Sequence, residues 1–352
     1  MHNSLIIVIL FVPLSLLMVQ CGDSADEATV PERTVYFDIL TLDLAEDDQF
    51  FMNRPGGIAQ DSRGNLYVLD TGDRHILKFS PEGKFISYIG QPGEGPGEFQ
   101  QPMAFTIDQD DNIYVLDFGL RRISIFDSDG EFVQASNYEY YSHVNSIAVN
   151  ADGEIALLQP VLDGPLINLV NRDGEIIRSI GETTPVSTEW HPTPTQHVTS
   201  NMNQGRIRFN RHGDLFVAFS ARPYIQKYTH TGELDYYRQL KGNEIDSLDQ
   251  RRNEVINRIR REQGGLDPNL VIVTPYITGF DLLHDTHLLL GLRWNNYLYL
   301  IDDSGTVIEK IQCKAIEAAD FELSGTGSFV ITDNDRIIMI DPMNGLLWKG
   351  EL

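Results

Sequence analysis

From about residue 50 onward the chain alternates short apolar runs of four to eight residues with polar turns, and only one stretch keeps the period of a helix. The segment at 61–90, DSRGNLYVLDTGDRHILKFSPEGKFISYIG, is answered at 108–138 by DQDDNIYVLDFGLRRISIFDSDGEFVQASNY, with both turns and both apolar runs in register. Four weaker copies start near Asn150, Asn210, His284 and Ser324. Each unit's second turn ends on a glycine: Gly83, Gly130, Gly174, Gly232, Gly305 and Gly345. Turns such as SPEG, DSDG and NRDG combine a side chain that caps its own backbone with a glycine free to take positive φ, so they read as hairpins. Six such units predict an all-β fold, a six-bladed β-propeller of four-stranded blades with one inserted helix, spanning 34–352. The ring has two candidate closing strands. Residues 346–352 can supply the last blade's outermost strand, while 34–44 either adds to that blade or covers an edge.

Two blade-to-blade connections are long, at 182–203 and 241–275. The second holds the helical stretch, 244–265, with Ile245, Leu248, Val255, Ile256 and Ile259 on one side. Ser247 and Gln250 are a candidate capping box, and Gly264 and Gly265 a stop. Its polar side carries Arg251, Arg252, Arg258, Arg260 and Arg261 against Glu254 and Glu262. It is read either as a rim helix or as a flap over the central depression.

The pattern from Pro55, PGGIAQDSRGNLYVLDTGDRHILKFSPEGKFISYIG, followed by the glycine-rich QPGEGPGEFQQP at 91–102, resembles the NHL repeat. Over roughly 50–352 the chain is similar to bacterial six-bladed NHL-type propeller lipoproteins, most clearly in its first two units. That resemblance implies a fold and no single activity. The family includes interaction scaffolds, amidating lyases and calcium-dependent lactonase-like hydrolases, so function rests on the site.

Charge narrows the choice. With 51 acidic and 27 basic side chains the formal net charge is −24, a field that repels phosphate backbones, and no nucleic-acid partner is expected. The only long apolar run is 5–19, interrupted by Pro13 and Ser15 and followed by Cys21. It reads as a signal peptide over 1–20 that resembles a lipoprotein signal, with Cys21 as the lipidated residue and 21–33 as a flexible acidic tether. The expected location is the cell envelope, lipid-anchored in the outer membrane and facing the periplasm or the cell surface. With Cys313 as the one other cysteine, the fold does not rest on disulfides.

Loops between middle strands share a face with the blade-to-blade connections, and four of them carry residue types enriched at binding hot spots. These are Arg74 with His75, Arg121 with Arg122, Arg222 with Tyr224, and Arg293, Trp294 and Asn295. His143, at the expected start of an innermost strand, joins them as a candidate ligand-facing residue. Innermost strands expected to begin near Arg54, Gln101, His143, Asn203, Thr278 and Glu317 supply one histidine among six, which does not reproduce a zinc lyase site. A calcium-dependent enzyme would draw on Asn145, Asn203, Asp281 and Glu317. The segment 108–112 imitates a calcium loop but has Ile113 where the glycine belongs, and reads as a hairpin turn. No catalytic set is assigned and no cofactor is expected. A binding or scaffold role toward an envelope protein, peptide or glycan is favoured over a metal-dependent lactonase or lyase with its ion on the axis.

Overall fold

The computed structural model describes residues 30–40, 42, 52–138, 144–184, 195–263, 276–292, 296–316, 327–341 and 347–352. The signal segment, Cys21 and most of the tether lie outside them. No described helix is long and apolar enough to cross a membrane.

The fold is the expected six-bladed propeller. Blades 1 to 4 are four-stranded antiparallel sheets whose innermost strands are Pro55–Gln60, Pro102–Ile107, Ile147–Val149 and Gly205–Phe209. Blade 5 starts from Ile277–Leu283 and blade 6 from Phe329–Ile331. Each innermost strand neighbours the next, and the last neighbours the first, so the ring is closed. Side chains along the inner strands alternate toward the two neighbouring blades, so both faces of each sheet are buried there, while outermost strands expose residues such as Ile86 and Val133. The apolar residues accordingly fall into six large clusters, one at each blade interface.

Closure uses the N-terminal strand Glu32–Ile39 in both of the ways the sequence left open. One edge runs antiparallel to Leu347–Glu351, with Phe37 opposite Gly350 and Ile39 opposite Trp348, and so forms the outermost strand of blade 6. The other edge runs parallel to Val307–Ala315, the outermost strand of blade 5, from Glu32 opposite Lys310 to Phe37 opposite Ala315. Blades 5 and 6 thereby become one eight-stranded sheet. The C-terminal strand is third in its blade, not outermost. The sixth repeat therefore sits one strand out of the expected register, and Gly345 precedes a third strand where its counterparts precede a fourth.

The repeated aspartates are structural. Asp61 accepts from the amides of Arg63 and Asn65, from Asn65 Nδ2 and from the Tyr67 hydroxyl. Asp108 repeats the set with Asp110, Asn112 and Tyr114, which makes 108–112 the hairpin turn expected of it. Asp117, the last residue of its YVLD run and fully buried, accepts from the amides of Gln100, Gln101 and Leu120 at 2.8–3.0 Å and ties the incoming connection to its blade. Asn at this position keeps one acceptor oxygen and strands at least one buried amide. Asp117→Asn is therefore expected to lower unfolding stability by about 1–3 kcal/mol, read as a shift of the urea midpoint at unchanged slope.

Two helices are described where one was expected. The short one, Gln196–Met202, starts at Thr195, whose hydroxyl caps the amide of Val198. The long one is Asn243–Gln263. It begins before the expected capping box: the Asp246 amide already bonds Gly242 O, and Ser247 Oγ donates back to Asn243 O from inside the first turns. Ile245 and Leu248 pack with Tyr236, Leu240, Tyr276 and Tyr299 across the interface of blades 4 and 5, which fixes the helix by its first two turns.

Candidate functional site

The loops between middle strands and the blade-to-blade connections define the upper face, and the short turns after the innermost strands define the lower one. Both insertions are fastened to the upper face by specific bonds. Gln196 accepts from the amide of Leu162 and donates to Pro160 O, both in the middle loop of blade 3. At the other end of the short helix, Arg222 from the middle loop of blade 4 donates to Met202 O at 3.1 Å and Asn203 Oδ1 at 2.6 Å. Tyr276 bonds both Asp249 of the long helix and Ser220 O of blade 4.

These contacts redistribute the expected binding ring. Arg222 is buried, lies over the rings of Phe219 and Tyr224, and spends its N–H groups on the protein. Arg122, half-buried, donates through its two Nη groups to Glu94 O, Gly95 O and Glu98 O and so holds the glycine-rich loop. Tyr224 stacks on Tyr237 at 5.0 Å. Arg74 and Arg121 occupy matching turn tips of blades 1 and 2 with left-handed backbones, φ 60° and 52°. His75 opens the next strand against Tyr88 at 4.6 Å, and burial holds its imidazole below the usual range. Its neighbours Asp70 and Asp73 could share a cation with it geometrically. Asp70, however, already accepts from the amides of Asn53, Arg54, Gly72 and Asp73. His143, Arg293, Trp294 and Asn295 lie outside the described residues.

Among the described residues, Asn145, Asn203 and Asp281 of the expected metal-type set do not converge on the axis. The innermost strands of blades 3 and 6 begin at Ile147 and Phe329, further along the chain than His143 and Glu317, which are themselves undescribed. Asn203 is off the axis, fully buried and committed to Thr184 O, Thr199 O and Arg222. Asn145 lines the upper mouth of the channel, whereas Asp281 lines the lower one.

What does line the channel is two arginines that the sequence reading passed over. In the innermost strand Gly205–Phe209, Arg206 and Arg208 stand two apart and share a side. The signal was legible: two guanidinium groups in a strand expected to bury both faces require partners or a cavity. Arg208 bonds Asp281 at 3.3 Å, and that carboxylate also accepts the Ile331 amide at 2.8 Å. Burial raises the Asp281 carboxyl above the usual range, with Arg208 opposing. Arg206 reaches the upper mouth, a cavity of about 330 Å³ lined also by Gly56, Asn145, Gln204, Thr278 and Ser328. Between the arginines the channel narrows to about 40 Å³, then opens below into about 380 Å³ ringed by Asp61, Asp108, Asp111, Asp285 and Asp333. Gly279 permits the close approach of strands here, since a Cβ would lie 2.3 Å from Gly327 O.

Residues 24–154 match the model of the DUF5128 family, described as a 6-bladed beta-propeller. No curated protein matches the chain significantly. Among solved structures, virginiamycin B lyase from Staphylococcus aureus is 14% identical with a TM-score of 0.56, over 90% of this chain and 99% of its own. A Bacteroides fragilis NCTC 9343 protein, whose name classes it as exported, is 13% identical with a TM-score of 0.57, over 92% and 98%. The Neurospora crassa Pan2 WD40 domain is 8% identical with a TM-score of 0.54, over 90% and 95%. A lyase and a WD40 domain at similar distance share the fold and carry no activity to this chain.

Proposed function

We propose that this protein is an extracytoplasmic binding propeller, tethered to a membrane through Cys21, that takes an envelope protein, peptide or glycan on its upper face. The observation that carries the reading is the fastening of both insertions. A short helix bonded at each end to a different middle loop, and a long helix packed over an interface between blades, extend the face without loosening it. Loops held on a rigid scaffold are where recognition residues concentrate, because little conformational entropy remains to be lost on binding. The exposed Arg258 of the long helix and the tips at Arg74 and Arg121 set positive charge on this face of a strongly acidic chain.

The test compares quantitative capture of envelope components by three forms of the full chain: wild type, the triple variant Arg74→Glu, Arg121→Glu, Arg258→Glu, and the lower-face control Arg211→Glu. A component retained by wild type and control and reduced at least tenfold with the triple variant is the expected result. Equal retention by all three would place recognition elsewhere. Fatty-acid labelling that is present in wild type and absent in Cys21→Ala is expected for the tether, and unlabelled wild type would remove it.

A further inference from the structure

Arg206 is unused by the reading above, and its surroundings are those of a binding group. Its one hydrogen bond runs from Nη2 to Ser328 Oγ at 3.2 Å, and that hydroxyl is itself within 3.3 Å of Gly56 O. No carboxylate pairs with it among the described residues, and the nearest charge bearing on it is the like charge of Arg208. Protein surrounds the guanidinium, and burial with that repulsion pulls it down to about 10, so it stays charged at neutral pH. The side chain nonetheless keeps partial contact with solvent, because it borders the upper cavity. An enclosed cation without a counter-charge is costly to keep. Facing an open cavity of about 330 Å³, it is a group whose partner arrives from outside.

A second unmet group lies in the same wall. Asn145 lines the upper mouth, and its Oδ1 is buried without a hydrogen-bond partner. An unmet buried acceptor is itself destabilising, and a turn of the Asn145 side chain toward the cavity would let a ligand N–H or O–H satisfy it. The cavity therefore offers one guanidinium fork, suited to a planar carboxylate, together with one acceptor. A dianion such as phosphate would want a second cation, and the candidate, Arg208, is already neutralised by Asp281 on the far side of the constriction. Below this mouth only about 40 Å³ of free space lies between the two arginines.

We propose that the upper mouth of the axial channel binds a small monocarboxylic acid, held through its carboxylate by Arg206 and through an adjacent N–H or O–H by Asn145. Hydroxy acids and N-acyl amino acids have this arrangement. The site is separate from the loop tips invoked for the macromolecular partner, so either can fail without the other.

Thermal unfolding of the full chain, titrated with glycolate, N-acetylglycine, acetate and sulfate against sodium chloride of equal ionic strength, tests it. Glycolate and N-acetylglycine are expected to raise Tm saturably, with acetate weaker because it lacks the donor. Arg206→Gln is expected to weaken glycolate at least tenfold, and Asn145→Ala to reduce glycolate to the level of acetate. Arg206→Lys, which keeps the charge and loses the fork, serves if the glutamine variant does not fold, and an intermediate affinity is expected. Stabilisation no greater than that from chloride, undiminished titration in the Arg206 variants, or sulfate binding more tightly than glycolate would each overturn the assignment.

Discussion

Phe37→Ala is expected to lower unfolding stability by about 3–5 kcal/mol, a large share of what holds a domain of this kind together. The ring is fully buried in the cluster formed by Leu289, Leu298, Ile311, Cys313, Met339 and Trp348, so it joins blade 5 to blade 6 from the strand that closes the ring. It also lies against the Cα of Gly350, where a Cβ would come within about 3 Å of the ring, which leaves neighbouring side chains little room to fill the hole. The preceding residue supplies the control. Tyr36 points outward and is 59% exposed, so Tyr36→Ala is expected to change stability by no more than about 0.5 kcal/mol. Urea midpoints of both variants decide the matter. Equal, small losses would mean that the N-terminal strand is not part of the cooperative fold.

The second large effect is at alkaline pH. Burial, reinforced by the Asp108 carboxylate that accepts its hydroxyl, pushes the Tyr114 phenol up to about 12, and burial alone pushes the Cys313 thiol up to about 12. Tyr67, Tyr228 and Tyr236 are raised further, again chiefly by burial. Burial pulls the Lys227 ammonium down, but the carboxylates of Asp303, Asp235 and Asp214 more than offset it, so that this group too ends above its usual range. All these groups hold their protons more tightly folded than unfolded. Their stabilisation is therefore complete below the unfolded values and is lost as pH climbs toward the folded ones. The unfolded thiol releases its proton first, near pH 9, then the phenols near 10. Stability is expected to fall from about pH 9 upward, at about 1.4 kcal/mol per pH unit for each group that only the unfolded chain has ionised. Tyrosinate absorbance followed beside urea midpoints from pH 8 to 12 is the check. Buried tyrosines are expected to ionise together with unfolding, and ionisation of all fourteen near pH 10 in a folded protein would contradict it.

The repeat was legible wherever its turn chemistry is complete. Blades 1 and 2 announce themselves because Asp61 and Asp108 cap the same amides, bond the same tyrosine hydroxyl and precede the same YVLD run. Blade 6 was misread by one strand because Gly345 imitates the glycine of a second turn, and because no local signal says that the fourth strand comes from the other end of the chain. The short helix Gln196–Met202 went unseen for want of length: seven residues leave no room for a periodicity. The candidate site was the least legible part. Arg122 and Arg222 have the residue types of a binding surface, yet Arg122 is held by backbone carbonyls and Arg222 by one carbonyl and the Asn203 side chain, all brought to them by tertiary contacts. Arg206, conversely, hides in a strand pattern, and only the packing of the ring shows that Arg208 meets a carboxylate while Arg206 meets none among the described residues.

The closing strand also sets the order in which the molecule can be finished. Glu32–Ile39 leaves the ribosome ahead of every blade, whereas its antiparallel partner Leu347–Glu351 emerges after every other described strand. Blades 1 to 4 each pair within a short span of chain and can form during synthesis, while the seam between blades 5 and 6 joins segments separated by nearly the whole length. That first strand keeps two unpaired edges until Val307–Ala315 is made, and one until Leu347–Glu351 follows. The nascent protein thus carries an unpaired strand through most of its synthesis, and a bound chaperone or passage through a translocon in the unfolded state would shield it until those partners arrive.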